Sequence, residues 1–210
     1  MGNMMNAAAD LGVASCWIHR AKEEFESCRG ISMSRNRICM ENERLLIRSL
    51  EIQDLEGLKA IRNDPRVYRY EPTFLLELQG TPEEALKAIQ SLDLYEDRQC
   101  ILGVFEKTDP PVFVGLAELY DYKQSGKCIS LGCRFLSEHW GRGIATSCVR
   151  ALLEYIRNNT EIEMVTAHVM PANRASSQCV LKNGFEYLLT KTEDWGYAEP
   201  STAEVYTFDC

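Results

Sequence analysis

Residues 139–156 read HWGRGIATSCVRALLEYI. Ile144, Cys148, Val149, Leu152, Leu153 and Ile156 recur at the spacing that lines one face of a helix, while Arg150, Glu154 and Arg157 fall on the others. The pattern predicts a long amphipathic helix. Its start is unusual, because Gly141 and Gly143 flank Arg142 where the helix begins, and glycine there costs about 0.5–1 kcal/mol relative to alanine. Two physical readings compensate. Bare backbone lets the free N–H groups of the first turn converge on an anion such as a phosphate, with the helix dipole and Arg142 adding positive charge. Alternatively, a tight strand-to-helix turn needs glycine for a positive φ.

Upstream, RLLIRSL (44–50) reads as a strand, and Asp54 caps a helical stretch, LEGLKAIRN, that stops at Asp64-Pro65 because a residue before proline is pushed out of the helical region. Thr81-Pro82-Glu83-Glu84 is a capping box with proline at the first helical position, which predicts a helix from 81 to about 97. CILGVFE, VFVGLAELYDY and CISLGCRFL, joined by KTDPP and QSGK turns, predict an antiparallel meander that feeds into the opening stretch. Downstream come a strand, MVTAHVM, a helix, ANRASSQCVLKN, closed by Gly184, and two last strands, FEYLLTK and EVYTF, separated by the aromatic loop EDWGYAEP. The order βααβββαβαββ is that of a single mixed α/β (α+β) domain over residues 41–210.

Residues 1–40 keep no sustained period. They read as a short helical extension around AKEEFESC, a poorly ordered leader, or upstream reading frame ahead of a start at Met40. A hydrophobic fraction of 45% and a charged fraction of 26% belong to a soluble globular chain. A net charge of −8 argues against nucleic acid, which demands a basic stripe, and suits a cationic substrate. No apolar run is long enough to cross a bilayer. Nine cysteines without a CxxC pair or a histidine cluster give neither a disulfide framework nor a metal site, and point to the reducing cytoplasm.

Known nucleotide loops do not fit the glycines: there is no GK[ST], and Gly141-x-Gly143 leads to Thr146 rather than to a third glycine. WGRGIA (140–145) instead resembles the Q/R-x-x-G-x-G/A pyrophosphate loop of the GNAT superfamily of acetyl-CoA-dependent N-acetyltransferases. ERLLIRSLEIQDLEGL (43–58) and NRASSQCVLKNGF (173–185) are similar to further segments of its RimJ/RimL branch, the ribosomal-protein N-terminal acetyltransferases. The resemblance covers residues 40–210. It implies a twisted, mostly antiparallel sheet splayed between central strands and flanked by about four helices. The strand before the loop would bulge, and pantetheine would pair with its backbone at Phe135 and Leu136. The pyrophosphate would lie on Gly141, Arg142, Gly143, Ile144, Ala145 and Thr146, with Asn173 and Ser176 on the pantetheine or thioester side.

The resemblance further implies transfer of acetyl from acetyl-CoA to a primary amine, on a protein N-terminus or a small molecule, by direct attack without metal or covalent enzyme intermediate. The alternative is a non-catalytic acyl-CoA-binding module; the state would be monomer or homodimer. Ser176 matches the serine thought to protonate the leaving thiolate, whereas the tyrosine used by other members is Val180 and the strand glutamate is Ser130. The base is thus open. Glu118, an acid in mid-strand, is the first candidate, with Glu71, Asp121 and Glu138 behind it. RYEPTF and EDWGYAEP, with their acids and aromatics, are expected to line the acceptor side.

Overall fold

The computed structural model describes residues 38–210; the expected leader helix around AKEEFESC lies outside them. Eight strands form one sheet in the order β1-β2-β3-β4-β5-β6-β8-β7: β1 (Cys39–Glu41), β2 (Leu45–Ser49), β3 (Cys100–Glu106), β4 (Val112–Lys123), β5 (Cys128–Phe135), β6 (Met164–Val169), β7 (Glu186–Glu193) and β8 (Ser201–Asp209). All neighbours are antiparallel except β5 and β6. Among the described residues four α-helices flank the sheet: α1 (Leu55–Arg62), α2 (Pro82–Ser91), α3 (Ile144–Asn159) and α4 (Arg174–Lys182).

Two apolar clusters hold the layers together. On one face α3 turns Ile144, Cys148, Val149, Leu152, Leu153 and Ile156 inward against Leu119, Ile129, Leu131, Phe135 and Val165. On the other, α1 and α2 bury Leu58, Ile61, Leu86 and Ile89 against Ile101, Phe105 and Leu116. Strand alternation decides which residues join each cluster. The second cluster covers only the β2–β4 half of its face; the half over β5, β6 and β8 carries Ser130, Arg134, Thr166 and His168.

Most predicted elements are present, with three differences. The helix from Thr81 ends at Ser91 rather than near 97, because Leu92 is extended and the Asp93 carboxylate accepts the N–H groups of Tyr95 and Glu96, a local turn that competes with the helix. The sheet begins at Cys39, ahead of the predicted first strand, since the short β1 pairs with β2. Finally, the expected bulge is not on β5, whose pairing with β4 runs unbroken from Ser130 to Phe135; the extra residue sits on β4 at Asp121, with φ 53. Thr81 and Glu84 do exchange the reciprocal bonds of a capping box, and α4 closes at Gly184 with φ 88.

Candidate active site

The parallel pairing of β5 with β6 covers Cys128, Ile129 and Ser130 and then stops. Beyond Ser130 the two strands part, and a notch opens in the middle of the sheet. Leu136 sends its N–H to the Val114 carbonyl of β4 at 3.0 Å. By alternation Leu131, Cys133 and Phe135 therefore turn their backbone groups to the opposite edge, into the notch. Of the two residues expected to pair with pantetheine, Phe135 has the matching orientation, whereas the Leu136 N–H is already committed. The Phe135 carbonyl accepts the indole N–H of Trp140 at 2.7 Å, while the Trp140 ring is about half exposed.

The notch leads to the N-terminus of α3. Gly141 and Gly143 have φ 72 and 77, and a Cβ placed on either would meet open space. Both proposed uses of glycine thus coexist: the turn requires left-handed backbone, and the bare atoms leave room for a ligand. The Ser147 N–H returns to the Gly143 carbonyl at 3.1 Å; the N–H groups just before it lack intrahelical acceptors, as at every helix start. Ile144 buries its side chain in the core, so it can offer a ligand only backbone. Arg142 points elsewhere than expected, bonding Glu106 at 3.0 Å and His139 Nδ1 at 2.9 Å. Arg44 shares that carboxylate at 2.7 Å and also donates to the Arg142 carbonyl, so two guanidinium groups face one acid beneath the loop. Hydrogen bonding from Arg44, with Arg142 close by, lowers the pKa of Glu106. The local surplus of positive charge suits an anion.

Asn173 and Ser176 open α4, where Asn173 Oδ1 accepts the Ser176 N–H at 3.3 Å. The asparagine is therefore a helix cap. Ser176 is half-buried. Cys133 and Cys179 fill apolar positions: a hydrogen bond with Cys148, then burial, raises the Cys133 thiol, and burial pushes Cys179 up to about 11. Neither is a thiolate near neutral pH.

On the opposite face lie Glu118 and Tyr120 of β4, Ser130, Gly132 and Arg134 of β5, and His168 of β6. Glu118 is buried, not the solvated surface acid that an exposed strand position would give. Its Oε1 accepts from Gln99 at 2.5 Å and its Oε2 from Arg134 at 2.9 Å. Arg134 also lies 2.7 Å from Glu77 Oε1 through Nε, a contact without hydrogen-bond alignment, donates from Nη2 to Glu77 Oε2 at 3.5 Å, and stands 3.8 Å from Glu71. One guanidinium thus faces three carboxylates. Burial opposes the Arg134 charge, but attraction to Glu77, Glu118 and Glu71 outweighs it and raises its pKa. Burial likewise pushes Glu71 up to about 7, with Arg134 opposing and Glu118 and Glu77 adding to the rise. The Tyr68 hydroxyl beside this cluster is buried with no hydrogen-bond partner among the described residues. Asp121 and Glu138 are exposed, the first tied to Arg98 and Lys123 and the second beside His139.

The two acceptor-side loops do meet. The Thr73 N–H donates to the Trp195 carbonyl at 2.9 Å, and the Tyr197 hydroxyl to the Glu71 carbonyl at 2.6 Å. Sequence reasoning missed one constellation. His168 Nδ1, on β6, lies 2.9 Å from Glu193 Oε1, supplied by β7. Only the register β6-β8-β7 brings them together, and no local spacing carries that signal. Ser130, where the resemblance expected a glutamate, bonds Thr166 at 2.7 Å.

A notch between splayed strands, leading to a glycine-lined helix start, defines a fold built to hold an elongated anionic cofactor in its sheet. Residues 44–186 match the acetyltransferase (GNAT) domain, and the chain belongs to that family of acetyl-CoA-dependent N-acetyltransferases. It is 27% identical over 148 residues to the uncharacterized N-acetyltransferase YoaA of Bacillus subtilis (strain 168), covering 70% of this chain and 82% of YoaA. Among solved structures, Mycobacterium smegmatis RimJ in complex with CoA-disulfide superposes with a TM-score of 0.69 at 14% identity, over 83% of this chain and 87% of RimJ. The spermidine N-acetyltransferase of Vibrio cholerae in complex with CoA and spermine gives 0.66 at 17% identity, over 80% and 96%. Among the described residues no group of three metal-ligating side chains converges and no helix is long and apolar enough to cross a membrane.

Proposed function

We propose that this enzyme acetylates the primary amine of a small cationic molecule. The observation that carries the reading is the acceptor face: Glu71, Glu118 and Glu193 stand among Tyr120, Trp195 and Tyr197, beneath two loops tied together by the Thr73 to Trp195 bond. Acids attract a cation, and aromatic faces stabilise it further. The bridged loops favour a small acceptor over the terminus of a folded protein. The Vibrio cholerae relative, a spermidine N-acetyltransferase, is in complex with spermine, a polycation of this chemistry.

The helix start at Gly141 to Thr146 would hold the pyrophosphate of acetyl-CoA, and the edge of β5 at Phe135 would pair with its pantetheine arm. Acetyl-CoA supplies the activated acyl group. The protein's part is then to align the amine with the thioester carbonyl, to exclude water, and to move protons, with positioning the larger contribution. Ser176, at the start of α4, is the hydroxyl assigned to the departing sulfur. Glu118, hydrogen-bonded to Arg134 and Gln99, is assigned to the acceptor wall rather than to proton transfer.

Release of CoA thiol from acetyl-CoA, followed with a panel of amines, tests the substrate class. Spermidine and other polycations are expected to give kcat/KM at least about tenfold above a neutral peptide bearing one α-amine, equivalent to about 1.4 kcal/mol of discrimination. Equal or better use of the peptide would overturn the cationic reading and favour the N-terminal acetyltransferase branch.

A further inference from the structure

We propose that His168, oriented by Glu193, takes the proton from the acceptor amine. The proposal rests on the acetyl-transfer reading above and names a catalytic residue for it. His168 stands two residues beyond Thr166, the last residue of β6 paired with β5, and so at the point where the notch opens toward the acceptor face. Gly132 on β5 has no side chain to fill the space there, and the rings of Tyr120 and His168 meet edge to face across it, with centroids 6.4 Å apart.

Glu193 is built to hold the imidazole, not to act as a base itself. Its Oε1 accepts from His168 Nδ1 at 2.9 Å and from Lys191 Nζ at 2.7 Å, and its Oε2 from Trp195 Nε1 at 3.1 Å. Burial works to raise its pKa, but the bonds from His168 and Lys191 hold it at about 2. In a neutral imidazole a carboxylate so placed holds the proton on Nδ1 and leaves the Nε2 lone pair to accept. The ring faces Glu193 of β7, whose carboxylate Lys191 shares, and Tyr120 of β4, and Tyr120 in turn lies in the field of Glu118 of β4, Arg134 of β5 and Glu71 of the covering loop. Among them Glu118 has both oxygens engaged, and Glu71 belongs to the cluster about Arg134.

In the reaction the amine lone pair forms the N–C bond, the C–S bond of the thioester breaks, and its electron pair leaves on sulfur. The proton shed by the amine nitrogen passes to His168 Nε2 and then to solvent, while the thiolate takes a proton from the Ser176 side or from water. The histidine is regenerated neutral.

The test is the pH profile of kcat/KM for acetyl transfer in the wild type, His168→Gln, His168→Asn, Glu193→Gln and Glu71→Gln, with acetyl-CoA-induced thermal stabilisation measured for each. His168→Asn keeps a donor for Glu193 and guards against loss of folding in His168→Gln. Both are expected to keep the stabilisation, to lose about 10²-fold or more in kcat, and to lose the rising limb of the profile. Glu193→Gln should move that limb to lower pH, since removing the carboxylate disfavours the imidazolium. Glu71→Gln should retain the limb. A His168 variant with wild-type rate and profile, or a limb that disappears in Glu71→Gln instead, overturns the proposal alone. Absence of turnover by the wild type with every amine overturns the acetyl-transfer reading and this proposal with it.

Discussion

Replacing Gly143 with valine is expected to abolish the stabilisation that acetyl-CoA confers on the fold. Gly143 sits at φ 77, where a β-branched residue is strained by about 1–3 kcal/mol. The strain relaxes by turning the backbone, which swings the first N–H groups of α3 off their common target. A Cβ there also projects into the open space that the turn leaves for a ligand. In the wild type, ligand at about 100 times its Kd adds about 2.7 kcal/mol, or roughly 5–10 °C in Tm for a domain of this size. The variant should show almost none of this shift, yet remain folded, because the seven buried side chains of α3 are untouched. Differential scanning fluorimetry with and without acetyl-CoA reads the difference. An undiminished shift would place the pyrophosphate elsewhere.

Arg134→Met is expected to be the most destabilising single change in the acceptor half. Arg134 is 3% exposed, and Glu77 and Glu118 are 0% and 6% exposed. Removing the guanidinium strands buried carboxylates, and breaking a buried pair in this way costs about 3–5 kcal/mol, on the order of 10 °C in Tm. The sign of the pH dependence is diagnostic. Carboxyls whose folded pKa is raised above the unfolded value bind more protons in the native state, so their stability is fully present below the unfolded pKa and falls as pH rises toward the folded one. Glu71, pushed up to about 7 even beside Arg134, already follows this rule, and without the arginine the window extends higher. The variant should therefore gain stability on acidification from neutral pH. Removing the set together, with Glu77→Leu and Glu118→Leu added, should recover most of the loss, because a packed apolar replacement avoids the desolvation penalty. Thermal melts at several pH values decide both points.

How far the site was legible in the sequence follows from how local its signals are. The α3 stripe, the capping box at Thr81 and the glycine pair are encoded within a few residues of one another, and the structure reproduces them. The pairing of RYEPTF with EDWGYAEP was foreseen only as two acid and aromatic loops; their contact spans more than a hundred residues. Glu118 was legible as an acid in mid-strand and first candidate for the base; its burial and its bonds to Arg134 and Gln99 were not, because Arg134 comes from the neighbouring strand and Gln99 from the segment just before β3. His168 and Glu193 were not joined, since a contact across β6, β8 and β7 depends on register alone. Helix α2 was overextended for the opposite reason: Asp93 competes with the helix through a local turn that the apolar period does not register.

The measurement that bears most directly on the whole account is mass spectrometry of the acceptor after incubation with enzyme and isotopically labelled acetyl-CoA. The prediction is a labelled acetyl group on the amine nitrogen, equal in amount to the CoA thiol released, from wild type and not from Gly143→Val. Tight binding of acetyl-CoA with no labelled amine from any member of the panel would contradict it.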